Sequence, residues 1–186
     1  MSSPEAEPLL QVRFPFVSVA IVAVVLITAA AQAIVPGWYA ALARDGLATD
    51  AGQWWRVITA LFAYDTGSAQ VLSIVVGVAL LGVVGESQFG SLRWLTLFVV
   101  AGLFGQLVAV SWQPIGAGSS VAVAGQLGAV AIWAILPATP VPPFARLGPV
   151  IVLAGAVALV IHRDIHGPPV LLGAALGFLF LLLRRR

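Results

Sequence analysis

The chain has 186 residues, 61% of them hydrophobic and 9% charged, and its mean hydropathy is +1.07. A soluble domain of this length does not bury so large an apolar fraction, so the composition predicts one domain surrounded mainly by lipid. The absence of cysteine excludes disulfides, and the presence of only two histidines argues against a protein-ligated zinc site. The net charge of +2 is better explained by arginines that set the orientation in the membrane than by nucleic-acid binding.

The first membrane span is predicted over 16–35, behind a short polar tail at 1–13. Residues 14–43 carry no charge, and a helix of twenty residues is about 30 Å long, which matches a bilayer core. A signal peptide is the alternative, because residues 31–33 resemble a small-residue cleavage site. The uncleaved span is favoured, since the apolar run is too long for a signal peptide and the leader is acidic.

Hydropathy predicts five further spans, at 68–85, 94–111, 120–136, 147–161 and 167–183. No accessory soluble domain or internal repeat interrupts them, so residues 14–186 are predicted to form a single transmembrane domain. Six spans place both termini on one side of the membrane. With cytoplasmic termini, the inner side holds more arginines than the outer side, which favours that orientation. The sequence therefore predicts an all-α, six-helix membrane protein with cytoplasmic termini.

Three polar residues are expected at a similar depth, near the outer ends of the second, fourth and sixth spans: Gln70, Ser120 and His166. Each lies about 24–26 Å above the inner end of its span at the rise of an α-helix. A serine at a helix N-terminus can act as a nucleophile, because free backbone N–H groups and the helix dipole stabilise the oxyanion. Histidine is its usual base.

The same residues also have ordinary structural interpretations. Ser120 precedes an apolar run and can simply cap a helix. His166 and His162 can be solvated loop residues, and Gln70 can start a helix at the membrane interface. The residues alone leave a catalytic site and a set of helix ends as alternatives.

A glycine pattern on the sixth span bears on this choice. Gly173 and Gly177 follow His166 on the same helical face and let a neighbouring helix approach closely. If the neighbour is the fourth span, with Gly125 and Gly128, the histidine is carried towards the serine. Ordinary helix packing without a functional consequence is the alternative.

Four short motifs follow one another across 52–178: Gln53-Trp54-Trp55-Arg56; Glu86 before Gly90-Ser91; Gly118-Ser119-Ser120 with its following glycines; and His166 with Gly173 and Gly177. In this order and spacing they resemble the rhomboid family of intramembrane serine proteases. The resemblance covers the tryptophan–arginine motif of the first outer loop, the glutamate–glycine turn, the nucleophile motif, and the histidine–glycine motif of the last span.

The resemblance implies a six-span rhomboid-like bundle of the minimal bacterial form, in a bacterial plasma membrane. It implies a Ser120–His166 dyad without an aspartate, which hydrolyses peptide bonds in transmembrane segments of other membrane proteins near the outer face. Gly118 and Gln70 would support the oxyanion. No metal, nucleotide or other cofactor is implied. The remaining motif residues would be structural: Trp55, Arg56, Glu86, Gly173 and Gly177.

The chain departs from the family pattern around the oxyanion. Val121 replaces the glycine after the nucleophile, Ile74 replaces an asparagine and Pro169 replaces a glycine after the histidine, while Gln70 replaces a histidine. Two alternatives therefore stay open: a catalytically impaired rhomboid pseudoprotease that binds client membrane helices, and a structural membrane subunit. A transporter is disfavoured, because no ionisable residue lies within a predicted span.

Overall fold

A computed structural model describes residues 14–65, 67–136, 139 and 141–184; the predicted tail at 1–13 lies outside them. Nine α-helices are found in the described residues. Four of them, and α8 together with the 3₁₀ turn before it, are long and apolar enough to cross a membrane, and α7 is a shorter apolar helix. The helices are α1 Phe16–Ile34, α2 Trp38–Leu42, α3 Gly46–Asp50, α4 Arg56–Thr59, α5 Ser68–Phe89, α6 Ser91–Trp112, α7 Ser120–Ile135, α8 Leu147–Ile161 and α9 Gly167–Arg184.

The predicted all-α, six-span bundle is confirmed, and the largest difference in helix bounds lies between the second and third spans. Helix α5 continues to Phe89 instead of ending at 85, and α6 begins at Ser91 instead of 94. Gly90 alone forms the junction, with a φ of 80° that favours glycine. The cytoplasmic placement of the termini stays a prediction.

The connection between α1 and α5 is predicted to lie on the outer side and is called the outer connection. It folds into short helices that hydropathy did not predict. The Arg56 guanidinium donates to the carbonyls of Ala40 and Ala43, at 2.9 and 2.8 Å, and to Gln53 Oε1 at 2.7 Å. It thereby satisfies carbonyls at the C-terminal end of α2. Trp55 beside it is 54% exposed, as expected for a tryptophan at a membrane–water boundary.

Helix α7 lies at the centre of the bundle. It packs most extensively against α9, then against α6, α5 and α8, and most of its residues are buried. Its sixteen residues give a length of about 24 Å, which is shorter than a bilayer core of about 30 Å. A surrounded helix can be this short, because protein instead of lipid covers its ends.

Glycines bring α7 and α9 into close contact. A Cβ atom on Gly173 would collide with the carbonyl oxygen of Gly125, and one on Gly128 would collide with that of Val170. A Cβ on Gly177 would lie 2.9 Å from the Cα of Ala129. The small side chains therefore permit backbone-to-backbone packing between the two helices.

Glu86 lies at the end of the bundle where α1 begins and α5 meets α6, which is called the inner end after its predicted orientation. It is buried in the last turns of α5, and its Oε1 accepts from the Ser18 N–H at 2.6 Å. Its Oε2 accepts from the Val17 N–H at 3.2 Å and the Ser91 hydroxyl at 2.9 Å. The Ser18 hydroxyl accepts from Trp94 Nε1 at 3.0 Å. The carboxylate thus satisfies the free N–H groups that begin α1 and joins α1, α5 and α6.

Candidate active site

The structure brings Ser120 and His166 together. Ser120 is the first residue of α7, and His166 directly precedes α9. Ser120 Oγ lies 2.9 Å from His166 Nε2, a hydrogen-bond distance. Both residues are partly buried, so the pair is shielded by protein and still open on one side. The hydroxyl and the imidazole therefore have the geometry that a nucleophile and its base require.

Asp164 contacts the other nitrogen of the imidazole. Its Oδ1 lies 2.8 Å from His166 Nδ1 and also accepts from the His166 backbone N–H at 2.8 Å. The resemblance implied a serine–histidine dyad without an aspartate, whereas in this chain a carboxylate contacts the histidine ring. Asp164 was not selected from the sequence; the spacing Asp-x-His was the signal that would have identified it.

The carboxyl of Asp164 lies in the loop between α8 and α9. Burial alone would raise the pKa of Asp164, but hydrogen bonds from the His166 backbone and ring, and the charge of the ring when it is protonated, bring that pKa below its ordinary value. Asp164 is therefore an ionised carboxylate at neutral pH. As a carboxylate it can accept hydrogen bonds but cannot donate them.

Amide side chains and one backbone carbonyl hold the loop in front of Ser120. Gln70 Nε2 donates to the Ala117 carbonyl at 2.8 Å, and Gln106 Nε2 donates to the Gly118 carbonyl at 2.9 Å. The Gly118 N–H donates to the Ala60 carbonyl at 2.7 Å. Three separate parts of the chain, α5, α6 and the outer connection, thus fix the approach to the serine.

Gly118 was predicted to support the oxyanion, and its position suggests a different contribution. Its N–H group is bonded to Ala60. Its φ is 130°, and a Cβ atom there would collide with the Gln70 amide nitrogen. Glycine is therefore required for the backbone conformation and for the close approach of Gln70.

Arg44 is a buried cation that the sequence analysis did not select. It is 2% exposed, and its guanidinium donates to the Gln113 carbonyl at 2.8 and 3.1 Å and to Gln106 Oε1. Its backbone pairs with that of Gly116. Burial lowers the pKa of Arg44, and the Asp65 carboxylate partly offsets this. No local pattern predicts this contact, because its partners are more than sixty residues away.

Backbone groups at the start of α7 are the available oxyanion donors. Among the described residues, no carbonyl accepts from the N–H groups of Ser120 and Val121. Ile74 is buried and carries no donor, and the adjacent Ser73 hydroxyl donates to the Gln70 carbonyl of its own helix at 2.8 Å. The positive end of α7 therefore faces the space beside the Ser120 hydroxyl.

Val121 and Pro169, two departures from the family pattern, both pack against Gly105 of α6. The Val121 side chain is fully buried and packs against Gly105 of α6. A Cβ atom on Gly105 would lie 2.7 Å from Val121 Cβ and 3.1 Å from Pro169 Cγ. Pro169 lies in the first turn of α9, where a missing N–H costs no helical hydrogen bond. Val121 therefore fills space between helices rather than the space beside the Ser120 hydroxyl.

The fold and the site define a multi-pass integral membrane protein with a serine–histidine pair at one end of an all-α bundle. The family model of the rhomboid domain matches residues 51–186. The chain belongs to the rhomboid family, whose members are generally intramembrane serine proteases. A comparison with curated proteins finds no match.

Proposed function

We propose that the chain is an intramembrane serine endopeptidase that cleaves transmembrane segments of membrane proteins near their outer ends. Ser120 is the nucleophile and His166 the general base. The observation that supports this function is the distance of 2.9 Å between Ser120 Oγ and His166 Nε2. The two side chains come from the first residue of α7 and from the residue before α9, and they meet at the N-terminus of the most buried helix of the bundle.

In the proposed reaction Ser120 Oγ attacks the peptide carbonyl carbon and transfers its proton to His166 Nε2. The negative charge on the carbonyl oxygen is stabilised by the N–H groups that begin α7 and by the helix dipole. His166 then gives the proton to the leaving amine, and the acyl-enzyme forms. A water molecule deprotonated by His166 hydrolyses the ester and restores the Ser120 hydroxyl.

The length of α7 supports cleavage inside the membrane boundary. A helix of about 24 Å in a hydrocarbon core of about 30 Å leaves Ser120 several ångströms below one surface. In the orientation that the arginine distribution favours, this is the outer surface. A peptide bond in a helix is not accessible to a nucleophile, so segments with small or helix-breaking residues near this depth are the favoured substrates.

The other motif residues support the site through the scaffold. Gln70 and Gly118 fix the loop that delivers Ser120, as their hydrogen bonds to Ala117 and Ala60 indicate. Arg56 holds the outer connection, Glu86 the inner end, and Gly173 and Gly177 the α7–α9 contact. Trp55 lies exposed beside Arg56, as a residue at the membrane boundary would.

Co-reconstitution tests this function. The purified protein is placed in liposomes with a set of single-span segments that carry glycine, serine or proline near the outer end, and fragments are located by mass spectrometry. Wild type and the control Ser119→Ala, which alters the neighbouring serine, yield fragments cut near the outer end. Ser120→Ala yields none. Equal fragmentation by Ser120→Ala, or intact segments throughout with folded wild type, would overturn the proposal.

A second candidate function is the binding of client membrane helices without cleavage. The observation that favours it is the buried Ile74, which offers no hydrogen bond where the family places an oxyanion donor. Loss of one such donor lowers the rate by about 10²–10³-fold. The same liposomes distinguish the two functions: photocross-linking to intact segments that is equal in wild type and Ser120→Ala, without fragments, identifies a binding protein.

A further inference from the structure

The loop between α8 and α9 places one carboxylate oxygen against two N–H groups of the same histidine. Asp164 Oδ1 is 2.8 Å from both the backbone nitrogen and ring Nδ1 of His166. The backbone bond closes a tight local turn, which explains how two residues so near in sequence align. The ring bond is additional, and a turn does not require it.

The ring bond determines which nitrogen of the imidazole carries hydrogen. An ionised carboxylate only accepts hydrogen bonds, so Nδ1 must be the protonated nitrogen. In the neutral ring, Nε2 then has a free lone pair, and Nε2 is the atom that lies 2.9 Å from Ser120 Oγ. The opposite tautomer would point an N–H at the serine and could not accept its proton.

We infer that Asp164 is a positioning residue for His166, which holds the imidazole in the tautomer and orientation that accept the Ser120 proton and stabilises the imidazolium that follows. The inference rests on the proposed function. It makes Ser120, His166 and Asp164 a continuous chain of hydrogen bonds, in place of the dyad that the family resemblance implied.

The groups that contact the ring are few. Among the described residues, Ser120 from α7 and Asp164 from the loop are the side chains that hydrogen-bond to it. Arg163 and His162 belong to the same loop and are exposed. The side chains of His166 and Asp164 are 39% and 37% exposed, so water screens their interaction. The effect of Asp164 should therefore be smaller than the roughly 10⁴-fold loss known for a buried aspartate of a serine protease triad.

The test is the pH dependence of labelling by a fluorophosphonate, which reacts with an activated serine and requires no substrate. Asp164→Asn keeps an oxygen that can accept from the backbone and ring N–H groups of His166, so the turn is preserved and the variant removes the negative charge that stabilises the imidazolium. We expect labelling at neutral pH to fall about 2–5-fold, as the loss of one exposed ion pair predicts. Because the imidazolium loses its partner, the acid limb of the labelling profile moves to lower pH.

Two further variants serve as references. Arg163→Asn also removes one charge from the loop and tolerates the left-handed φ of 55° at that position. It should shift the acid limb upwards or leave it unchanged. Asp164→Ala loses the turn as well and should be labelled more slowly than Asp164→Asn.

The outcomes separate the two proposals. If Ser120→Ala abolishes labelling and Asp164→Asn matches wild type in rate and pH profile, Asp164 has only a structural role and the inference is wrong, whereas the proposed function stands. The same downward shift in Asp164→Asn and Arg163→Asn would also overturn the inference. If wild type and Ser120→Ala are labelled alike, the proposed function itself fails.

Discussion

The two ends of the bundle each carry a polar network, and the networks differ in how their hydrogen-bonding capacity is used. At the inner end, the buried Glu86 accepts three hydrogen bonds, and Trp94 donates to Ser18. At the outer end, the Ser120 and His166 side chains meet in a half-exposed position, next to N–H groups of α7 that have no carbonyl partner in the described residues.

The inner network is suited to holding the helices together, whereas the outer pair is suited to reacting with a substrate. The inner network joins three helices and leaves Glu86 only 3% exposed, which is typical of a structural network. The outer pair keeps donors available and an open side, as a site for a transient charge requires. Mutations at the two ends should therefore change different measured quantities.

The largest combined effect on labelling rate and stability is expected at the α7–α9 contact, which links the two ends of the bundle. Gly173→Ala places a methyl group against the Gly125 carbonyl and forces the helices apart. A displacement of about 1 Å between Ser120 and His166 should slow phosphonate labelling about 100-fold or more. Labelling and thermal unfolding in micelles are both measured.

Gly155→Ala is the matched control for this variant. Gly155 lies on α8, and a Cβ atom there meets nothing within 4 Å. This variant should keep its labelling rate and be equally or slightly more stable, since alanine is the better helix former. Equal labelling by Gly173→Ala and wild type would show that the site does not depend on close α7–α9 packing.

The second effect concerns stability at the inner end. Glu86→Ala leaves the N–H groups of Val17 and Ser18 and the Ser91 hydroxyl without their acceptor. We expect the free energy of unfolding to fall by about 3 kcal/mol, because buried donors lose a charged partner. The labelling rate per folded molecule should not change. Glu86→Gln, which keeps one acceptor oxygen, is the milder variant; slower labelling of its folded fraction would contradict the separation of the two ends.

The smallest effect on labelling is expected at Val121, where the variant tests whether this departure from the family motif weakens the site. Val121→Gly restores the glycine of the family motif but empties the space beside Gly105. Stability should fall by about 2 kcal/mol, from the lost packing and the added helix flexibility, and labelling should stay within about twofold. Faster labelling than wild type would show that Val121 obstructs the oxyanion after all.

The fold could be predicted well from the sequence because lipid imposes a simple rule on hydropathy. The apolar runs located the six predicted spans, five of them long helices and the sixth the shorter α7. The bounds around Gly90 were wrong by three or four residues, since Glu86 was read as the end of a span. A carboxylate can extend a helix into the interior when it finds donors, and those donors, on α1, lie about seventy residues away.

The candidate site was only partly predictable. The glycine pattern and the family motifs indicated that His166 approaches Ser120, because close helix packing leaves a periodic signal. Arg44 and Gln106 left no such signal, since their bonds to the loop before Ser120 depend on tertiary structure alone. Asp164 was missed for a different reason: a charged residue in a polar loop is usually solvated, and only its spacing to His166 marked it.

The central claim is that Ser120 is activated by His166, and phosphonate labelling tests it most directly. The rate constant is measured in membranes for wild type, Ser120→Ala and His166→Ala, and the adduct is located by peptide mass spectrometry. We expect an adduct on Ser120 in wild type, none in Ser120→Ala, and labelling at least about 100-fold slower in His166→Ala. Labelling of Ser120→Ala at the wild-type rate, or of His166→Ala at the wild-type rate, would contradict the account.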